Sequence, residues 1–263
     1  MDIFIKSTIK ITALLALLLV LTSCSDDSPT SSDPGEEPEI PEATPAEIDN
    51  SVFQGNNPNG EEFSAFNEAG SFVETAQTQV QASASLSSAY LSFTDTEQAE
   101  FTDGVWEWSF NFQAEGQSLT IRTTAEELSN GVEWNMYISG DFEDENVDEF
   151  RYMTGFTADD QSSGNWQYFS PDFPDRPVVE YQWTSESDDQ TTFSTIFYEP
   201  ENDEESRIDY IKDGVDNTLD YTGFGTDTDV QIYWNSSDGT GYIDRAGEDR
   251  QCWDDSFAEV SCS

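Results

Sequence analysis

The sequence predicts a mainly β fold, an antiparallel meander of about ten strands preceded by one helical segment. From Val105 onward apolar and polar residues alternate, as in strands that bury one face and expose the other. Turn-forming pairs such as Asn130-Gly131 and Asp213-Gly214 separate these runs. Before Val105 the period is that of a helix.

The helical segment runs from Phe63 to about Phe93. Phe72, Ala76 and Val80 recur at four-residue spacing, which places them on one face of a helix. Four serines between residues 83 and 88 lower the helix propensity there. A single helix is therefore expected ahead of the sheet.

The strands are predicted from their alternation. In the first, Trp106 and Trp108 point to one side and Glu107 to the other. Ten segments follow this rule: Val105–Phe112, Leu119–Thr123, Val132–Ile138, Phe150–Phe156, Trp166–Phe169, Val179–Trp183, Phe193–Phe197, Ile208–Ile211, Leu219–Tyr221 and Val230–Trp234. One polar face favours a barrel, a half-barrel or a sandwich, with the helix covering an open face or end.

The first 23 residues have the layout of a secretory signal. Lys6 and Lys10 precede an apolar run from Ile11 to Leu21, which is shorter than the about 20 residues that a membrane-spanning helix needs. The run ends in Leu21-Thr22-Ser23-Cys24, which resembles the lipobox of bacterial lipoproteins. The resemblance implies cleavage before Cys24, a diacylglyceryl group on its thiol and acylation of the new amino terminus.

The residues after Cys24 indicate which membrane holds the protein. In such lipoproteins an aspartate directly after the cysteine often causes retention in the inner membrane. This sequence has Ser25 at that position, which does not give that signal. The run Ser25-Asp26-Asp27-Ser28 resembles the acidic export signals of surface lipoproteins in Bacteroidota-like, salt-tolerant bacteria. The resemblance implies the outer membrane, at its periplasmic face or at the cell surface.

Residues 24–50 are predicted to be a lipid anchor followed by a disordered acidic tether. The segment lacks aromatic residues and contains five prolines: Pro29, Pro34, Pro38, Pro41 and Pro45. Such a composition buries too little apolar surface to offset its ordering entropy. The predicted organisation is thus a signal peptide (1–23), anchor and tether (24–50), a partly helical segment (51–103) and an antiparallel β-domain (104–263).

The charge excludes several partners. The chain has 55 acidic and 9 basic residues; without Asp2, Lys6 and Lys10 of the signal, 54 and 7 remain, a net charge of −47. Nucleic acid and anionic headgroups are therefore poor partners. The acidity has three interpretations: adaptation to high salt, binding of divalent cations, or recognition of a basic protein partner.

Two cysteines remain after Cys24. Cys252 and Cys262 have nine residues between them, and in an oxidising envelope they are expected to form one disulfide that closes a short loop. The spacing matches neither a CxxC redox pair nor paired metal-binding cysteines.

The absence of histidine excludes Ser-His-Asp and Cys-His catalysis and nearly all catalytic zinc sites. An enzyme here would depend on carboxylates, as glycoside hydrolases do. Because an acidic chain brings some carboxyl pair to a suitable distance by chance, we expect a non-enzymatic protein without an obligatory cofactor.

An acidic loop is the candidate calcium site. Its carboxylates are those of Asp141, Glu143, Asp144, Glu145 and Asp148, and calcium takes six to eight oxygen ligands. The loop lacks the glycine-punctuated order of an EF-hand, and such charge runs are more often solvated faces.

Three tyrosines are candidates for ligand contacts. Tyr137, Tyr198 and Tyr233 fall on the polar face of their strands, whereas Trp106, Trp108, Trp134 and Trp234 fall on the apolar face and are expected in the core. The favoured function is a structural or binding role in the envelope. The alternatives are a carrier that shields an apolar ligand, or a glycan-binding module or carboxylate glycosidase.

Overall fold

The computed structural model describes residues 37–39, 47–56, 58–92, 94, 99–114, 117–142, 145–187, 189–199, 201–224 and 229–262. A short 3-10 helix, Glu61–Phe63, leads into one long helix, α1, Ser64–Leu91. Fourteen strands follow: β1 Glu100–Thr102, β2 Val105–Ala114, β3 Gln117–Leu128, β4 Gly131–Phe142, β5 Glu145–Ala158, β6 Ser163–Tyr168, β7 Val179–Ser187, β8 Gln190–Glu199, β9 Glu204–Asp213, β10 Asp216–Thr222, β11 Val230–Asn235, β12 Gly241–Arg245, β13 Gln251–Trp253 and β14 Glu259–Val260.

The strands form one antiparallel meander, in which each strand pairs with its neighbours in the sequence. This confirms the predicted fold class. The described strands form one open sheet with β1 and β14 at its edges, so of the three predicted arrangements they form neither the closed barrel nor the two-sheet sandwich. The ten predicted strands are β2 to β11; the four additional ones are the short β1, β12, β13 and β14.

Helix α1 crosses the strands on one face of the sheet. We call this covered face the inner face and the opposite one the outer face. Near its start, the Ser64 hydroxyl donates a hydrogen bond to Glu259 of β14 over 2.5 Å. Further along, Phe72 contacts Tyr221 of β10, and the Ser83 carbonyl accepts a hydrogen bond from the Tyr168 hydroxyl of β6. One helix therefore covers the inner face across many strands.

The buried face of α1 includes the predicted Ala76 and Val80, whereas Phe72 is half-buried at its margin and Val73 takes the buried position. Its fully or nearly fully buried apolar residues are Ala65, Phe66, Ala69, Val73, Ala76, Val80, Ala84 and Leu91. Four of these eight are alanines, which brings the helix backbone close to the large rings of the sheet. The serines that weaken the helix are accommodated locally: the hydroxyls of Ser83 and Ser85 donate to the carbonyls of Gln79 and Gln81 one turn earlier.

Large rings fill the inner face of the sheet, and glycines make room for two pairs of them. Gly155 of β5 lies between Trp134 and Trp166 on the adjacent strands. Gly241 of β12 likewise lies between Trp234 and Trp253. A Cβ on either glycine would overlap a backbone carbonyl oxygen and an indole ring, that of Trp166 or of Trp253, so these two tryptophans cover the glycines.

The fold begins earlier than the sequence predicts. Residues 47–50 belong to the predicted tether, yet Ile48 is buried in the core. Its N–H donates to the Gln77 side chain of α1, and the Asp49 N–H donates to the Tyr210 hydroxyl over 3.0 Å. The Trp234 indole N–H donates to the Asp49 carbonyl over 2.8 Å. An aliphatic residue within an acidic run thus finds an apolar position that composition alone does not reveal.

A second part of the predicted tether also contacts the sheet. Pro38 is buried, and the Trp108 indole N–H donates to the Glu37 carboxylate over 3.0 Å. Cys24 and the signal lie outside the described residues. Within the described part of the chain, no helix is long and apolar enough to cross a membrane.

The predicted disulfide is confirmed. Cys252 of β13 is bonded to Cys262, and their Cα atoms are 5.3 Å apart. The bond joins the chain end to β13, beside the two-residue edge strand β14. Loop-closure entropy gives such a bond about 2–3 kcal/mol of stabilisation.

Candidate functional site

A groove opens on the protein surface between β5 and the loop that joins β6 to β7. Its volume is about 540 Å³. It is lined by Tyr137 of β4, by five successive residues of β5 and by two prolines of the loop: Val147, Asp148, Glu149, Phe150, Arg151, Pro171 and Pro174. The lining thus combines apolar, anionic and cationic side chains in one surface depression.

Two irregularities in the pairing of β5 with β4 shape this groove. Tyr152 is an extra residue between Arg151, which pairs with Tyr137, and Met153, which pairs with Met136. A second irregularity lies between the pairs Ile138–Phe150 and Gly140–Val147. Such β-bulges bend a strand and redirect its side chains, and they are frequent beside functional sites.

Glu149 lies at the second irregularity in a left-handed backbone conformation, with φ of 49°. A non-glycine residue there costs of order 1–3 kcal/mol, which its surroundings must offset. The Glu149 N–H donates to the Ser139 hydroxyl over 2.9 Å, and its carboxylate pairs with Arg122. Of the positive-φ residues other than glycine in the described ranges, Glu149 is the one inside a strand.

Two arginines flank Tyr137 across the sheet. Arg122 of β3 and Arg151 of β5 are its direct partners on the two neighbouring strands. The Arg122 guanidinium lies 4.3 Å from the centre of the Tyr137 ring and pairs with Glu107 over 3.0 Å. Burial lowers the pKa of Arg122, but hydrogen bonds to Glu149 and Glu107 outweigh it, so the pKa lies above its usual value.

Arg151 differs from the other arginines. Its guanidinium lies 4.9 Å from the centre of the Phe169 ring, and the residue is exposed. Five other arginines form ion pairs with carboxylates: Arg122, Arg176, Arg207, Arg245 and Arg250. For Arg151, the part of the chain that the structure describes supplies no such pair.

The three tyrosines predicted as ligand contacts do not form one site. All three are half-buried on the outer face, but they belong to β4, β8 and β11, which are not neighbours in the sheet. Tyr137 is the one that lines the groove. Tyr198 lies beside Glu180 and Glu205; burial first, and then these charges, raise the pKa of its phenol.

Tyr233 belongs to a separate polar cluster. Its hydroxyl donates to Asp216 over 2.6 Å, and its ring stacks on Tyr242, whose other neighbour is the Arg250 guanidinium at 4.0 Å. Burial, followed by the hydrogen bond to Asp216, raises the pKa of Tyr233 to about 12. These contacts engage the hydroxyl and one ring face in cross-strand packing.

The predicted calcium loop is described only in part. Asp141 is exposed, and its carboxylate accepts a hydrogen bond from Asn146 over 3.0 Å. Asp148 lines the groove, whereas Glu143, Asp144 and the Glu145 side chain lie outside the described parts. Within those parts, no group of three Asp, Glu, Cys or His residues is arranged to hold a metal ion.

No family model matches the chain, and no curated protein or solved structure matches it either. The groove is therefore interpreted from its own chemistry.

Four residues of the groove, Arg151, Phe150, Pro171 and Pro174, are not predicted by the sequence patterns. Simple alternation puts Arg151 and Met153 on one face of β5, but the bulge at Tyr152 places Arg151 in the groove and Met153 in the core. The available signal was the scarcity of cations: an arginine next to an acidic run in a chain of this charge is conspicuous.

Proposed function

We propose that the protein is a lipid-anchored, non-enzymatic protein of the bacterial cell envelope, whose folded part binds a ligand in the groove beside β5. Lipid on Cys24 holds the chain to the outer membrane, at its periplasmic face or at the cell surface. The disulfide between Cys252 and Cys262 is in keeping with an oxidising compartment. We attribute the dense carboxylates of the surface to solvation at high salt.

The observation that carries the binding role is the strained and bulged backbone of the groove. The fold maintains Glu149 at positive φ and two pairing irregularities within a few residues, although a regular hairpin would avoid both costs. The same segment contributes the exposed charged residues Asp148, Glu149 and Arg151 to the groove. Backbone strain that coincides with a surface groove supports a binding site.

The carrier alternative receives less support. A carrier would hold an apolar ligand between helix and sheet, where this protein places fully buried rings such as those of Trp134, Trp234 and Tyr210. The Tyr210 hydroxyl is also engaged there, since it donates to Asn217 over 2.7 Å. The groove itself is open to solvent and partly charged.

Glycan binding is the more specific candidate. Sugar rings present apolar faces that pack on aromatic rings and hydroxyls that donate to carboxylates. The groove offers Tyr137 for the first contact, and Asp148 and Glu149 for the second. A hydrolytic role is disfavoured because the Glu149 carboxylate is already held by Arg122.

Tyr137→Ala tests the groove. The chain from residue 24, with Cys24→Ser and secreted behind an ordinary signal peptide, is screened on an array of neutral and acidic oligosaccharides and on phosphatidylethanolamine–phosphatidylglycerol vesicles. We expect an oligosaccharide to bind, and Tyr137→Ala to weaken that binding about tenfold through loss of a central aromatic contact.

Tyr198→Ala is the matched control, because Tyr198 is also a half-buried outer-face tyrosine but lies on β8. It should bind like the wild type. Equal weakening by the two variants, or no binding to any probe, would contradict the proposed groove function.

A further inference from the structure

We infer that the groove recognises a carboxylate-bearing saccharide of the uronic acid class, with Arg151 as the residue that binds the carboxylate. This inference rests on the proposed binding role of the groove and specifies its ligand. It follows from the pairing of the arginines, the composition of the lining and the charge of the chain.

Arg151 has no carboxylate partner among the described residues, although the chain is rich in carboxylates. The chain after its signal carries 54 acidic residues against 7 basic ones, so an arginine has many possible partners. Five arginines each contact a carboxylate. Arg151 instead lies over Phe169, and acidic residues 148 and 149 are within three positions of it in the sequence. The described residues therefore leave its planar donor edge available to an external anion.

The guanidinium of Arg151 has hydrogen-bond donors for a ligand in the groove. A guanidinium that lies over an aromatic ring is attracted by the ring face, and this contact uses none of its N–H groups as hydrogen-bond donors. A carboxylate accepts two parallel hydrogen bonds from such a fork. Arg151 lines the groove, so a carboxylate bound to it lies at the groove surface.

The other residues that line the groove indicate what the remainder of the ligand must be. Asp148 and Glu149 accept hydrogen bonds from hydroxyl groups, and their charge disfavours any anionic group that is not paired with Arg151. Tyr137 and the two prolines offer apolar contacts. A uronic acid residue combines one carboxylate, several hydroxyls and an apolar ring face, and it matches all three parts of the lining. A volume of about 540 Å³ is within the range of small-ligand sites.

A uronic acid differs from a neutral sugar by the carboxylate that pairs with Arg151. A neutral sugar would make the aromatic and hydroxyl contacts but would leave Arg151 without a partner. A site built around a charged hydrogen bond discriminates against a ligand that lacks the matching group. Carboxylate-dependent affinity is therefore the distinguishing property.

The experiment uses the chain from residue 24 with Cys24→Ser, titrated calorimetrically with tetramers of galacturonate, mannuronate and guluronate. Each tetramer is compared with its methyl ester, which keeps the sugar chain and removes the charge. EDTA is present throughout, so that calcium cannot bridge two carboxylates. Arg151→Gln, Arg250→Gln and Tyr137→Ala are titrated in parallel, after their thermal unfolding has been compared with that of the wild type.

At least one acidic tetramer should bind, its methyl ester about tenfold or more weaker, and Arg151→Gln should weaken the acid by a similar factor. Arg250→Gln should bind like the wild type, because Arg250 also lies over an aromatic ring but is paired with Asp244 on a distant strand.

Equal binding of acid and ester, or an Arg151→Gln variant that binds like the wild type, would overturn the inference. If Tyr137→Ala weakens both forms in that case, the groove function stands and only the uronate assignment falls. If none of the tetramers binds, the uronate assignment also falls, and the array comparison of Tyr137→Ala with Tyr198→Ala decides the groove function separately.

Discussion

Trp234→Ala should lower the free energy of unfolding by about 3–5 kcal/mol, the range for removing a large aromatic side chain from a core. The Trp234 ring is fully buried and lies 6.1 Å from the Tyr210 ring and 5.5 Å from the Phe53 ring, measured between centres. Its indole N–H also donates to the Asp49 carbonyl, so the truncation leaves that carbonyl without its donor.

Urea unfolding at fixed salt, followed by tryptophan fluorescence and by circular dichroism, measures this loss. Tyr233→Ala is the control, since it removes an aromatic ring from the next position of β11 on the outer face. Its loss should be about 1 kcal/mol, the value of a cross-strand contact and a hydrogen bond. Equal losses for the two variants would mean that the inner face of β11 is not the core.

Gly155→Val should destabilise the protein by about 3 kcal/mol, at the upper end of overpacking costs. The side chain would occupy the space that the Trp166 ring takes up beside Asn165. Since a backbone carbonyl is one of the obstructing groups, a rotation of the indole cannot relieve the overlap alone. The two strands must move apart, which also disturbs the adjacent Trp134.

Thr154→Val provides the comparison for Gly155→Val in the same urea experiment. It introduces the same residue at the preceding position of β5 and removes the hydrogen bond from the Thr154 hydroxyl to Asn135. We expect a loss of about 1 kcal/mol. A Gly155→Val variant that is as stable as Thr154→Val would show that tryptophan does not cover the glycine.

The sequence predicted the strands for a physical reason that also sets its limits. Alternation is strong where a strand is long and buries one face, and the tryptophans at 106, 108, 134 and 234 are buried as expected. The four missed strands have only two to five residues each, too few for a period to stand out. They are defined by pairing with longer neighbours, which is a property of the assembled sheet.

The site was predictable only in part. Tyr137 was identified as a polar-face aromatic residue, and it does line the groove. The bulges that place Arg151 beside it depend on the pairing of β5 with β4, which the sequence of β5 alone does not specify. The same holds for Ile48, whose buried position depends on Gln77 and on the core beneath it. Local patterns predict faces, whereas register and docking require the partner.

The lipid anchor is tested directly by membrane fractionation of wild-type and Cys24→Ser chains. Both chains are expressed with the native signal in a Gram-negative host, and their amino-terminal peptides are analysed by mass spectrometry. We predict that the wild type is in the membrane fraction, begins at Cys24 and carries lipid on it, since several acyl chains together anchor stably. Cys24→Ser should shift the chain almost entirely to the soluble fraction, because the acidic surface has little affinity for anionic headgroups. A variant that stays with the membrane, or a wild-type chain whose Cys24 carries no lipid, would contradict the account.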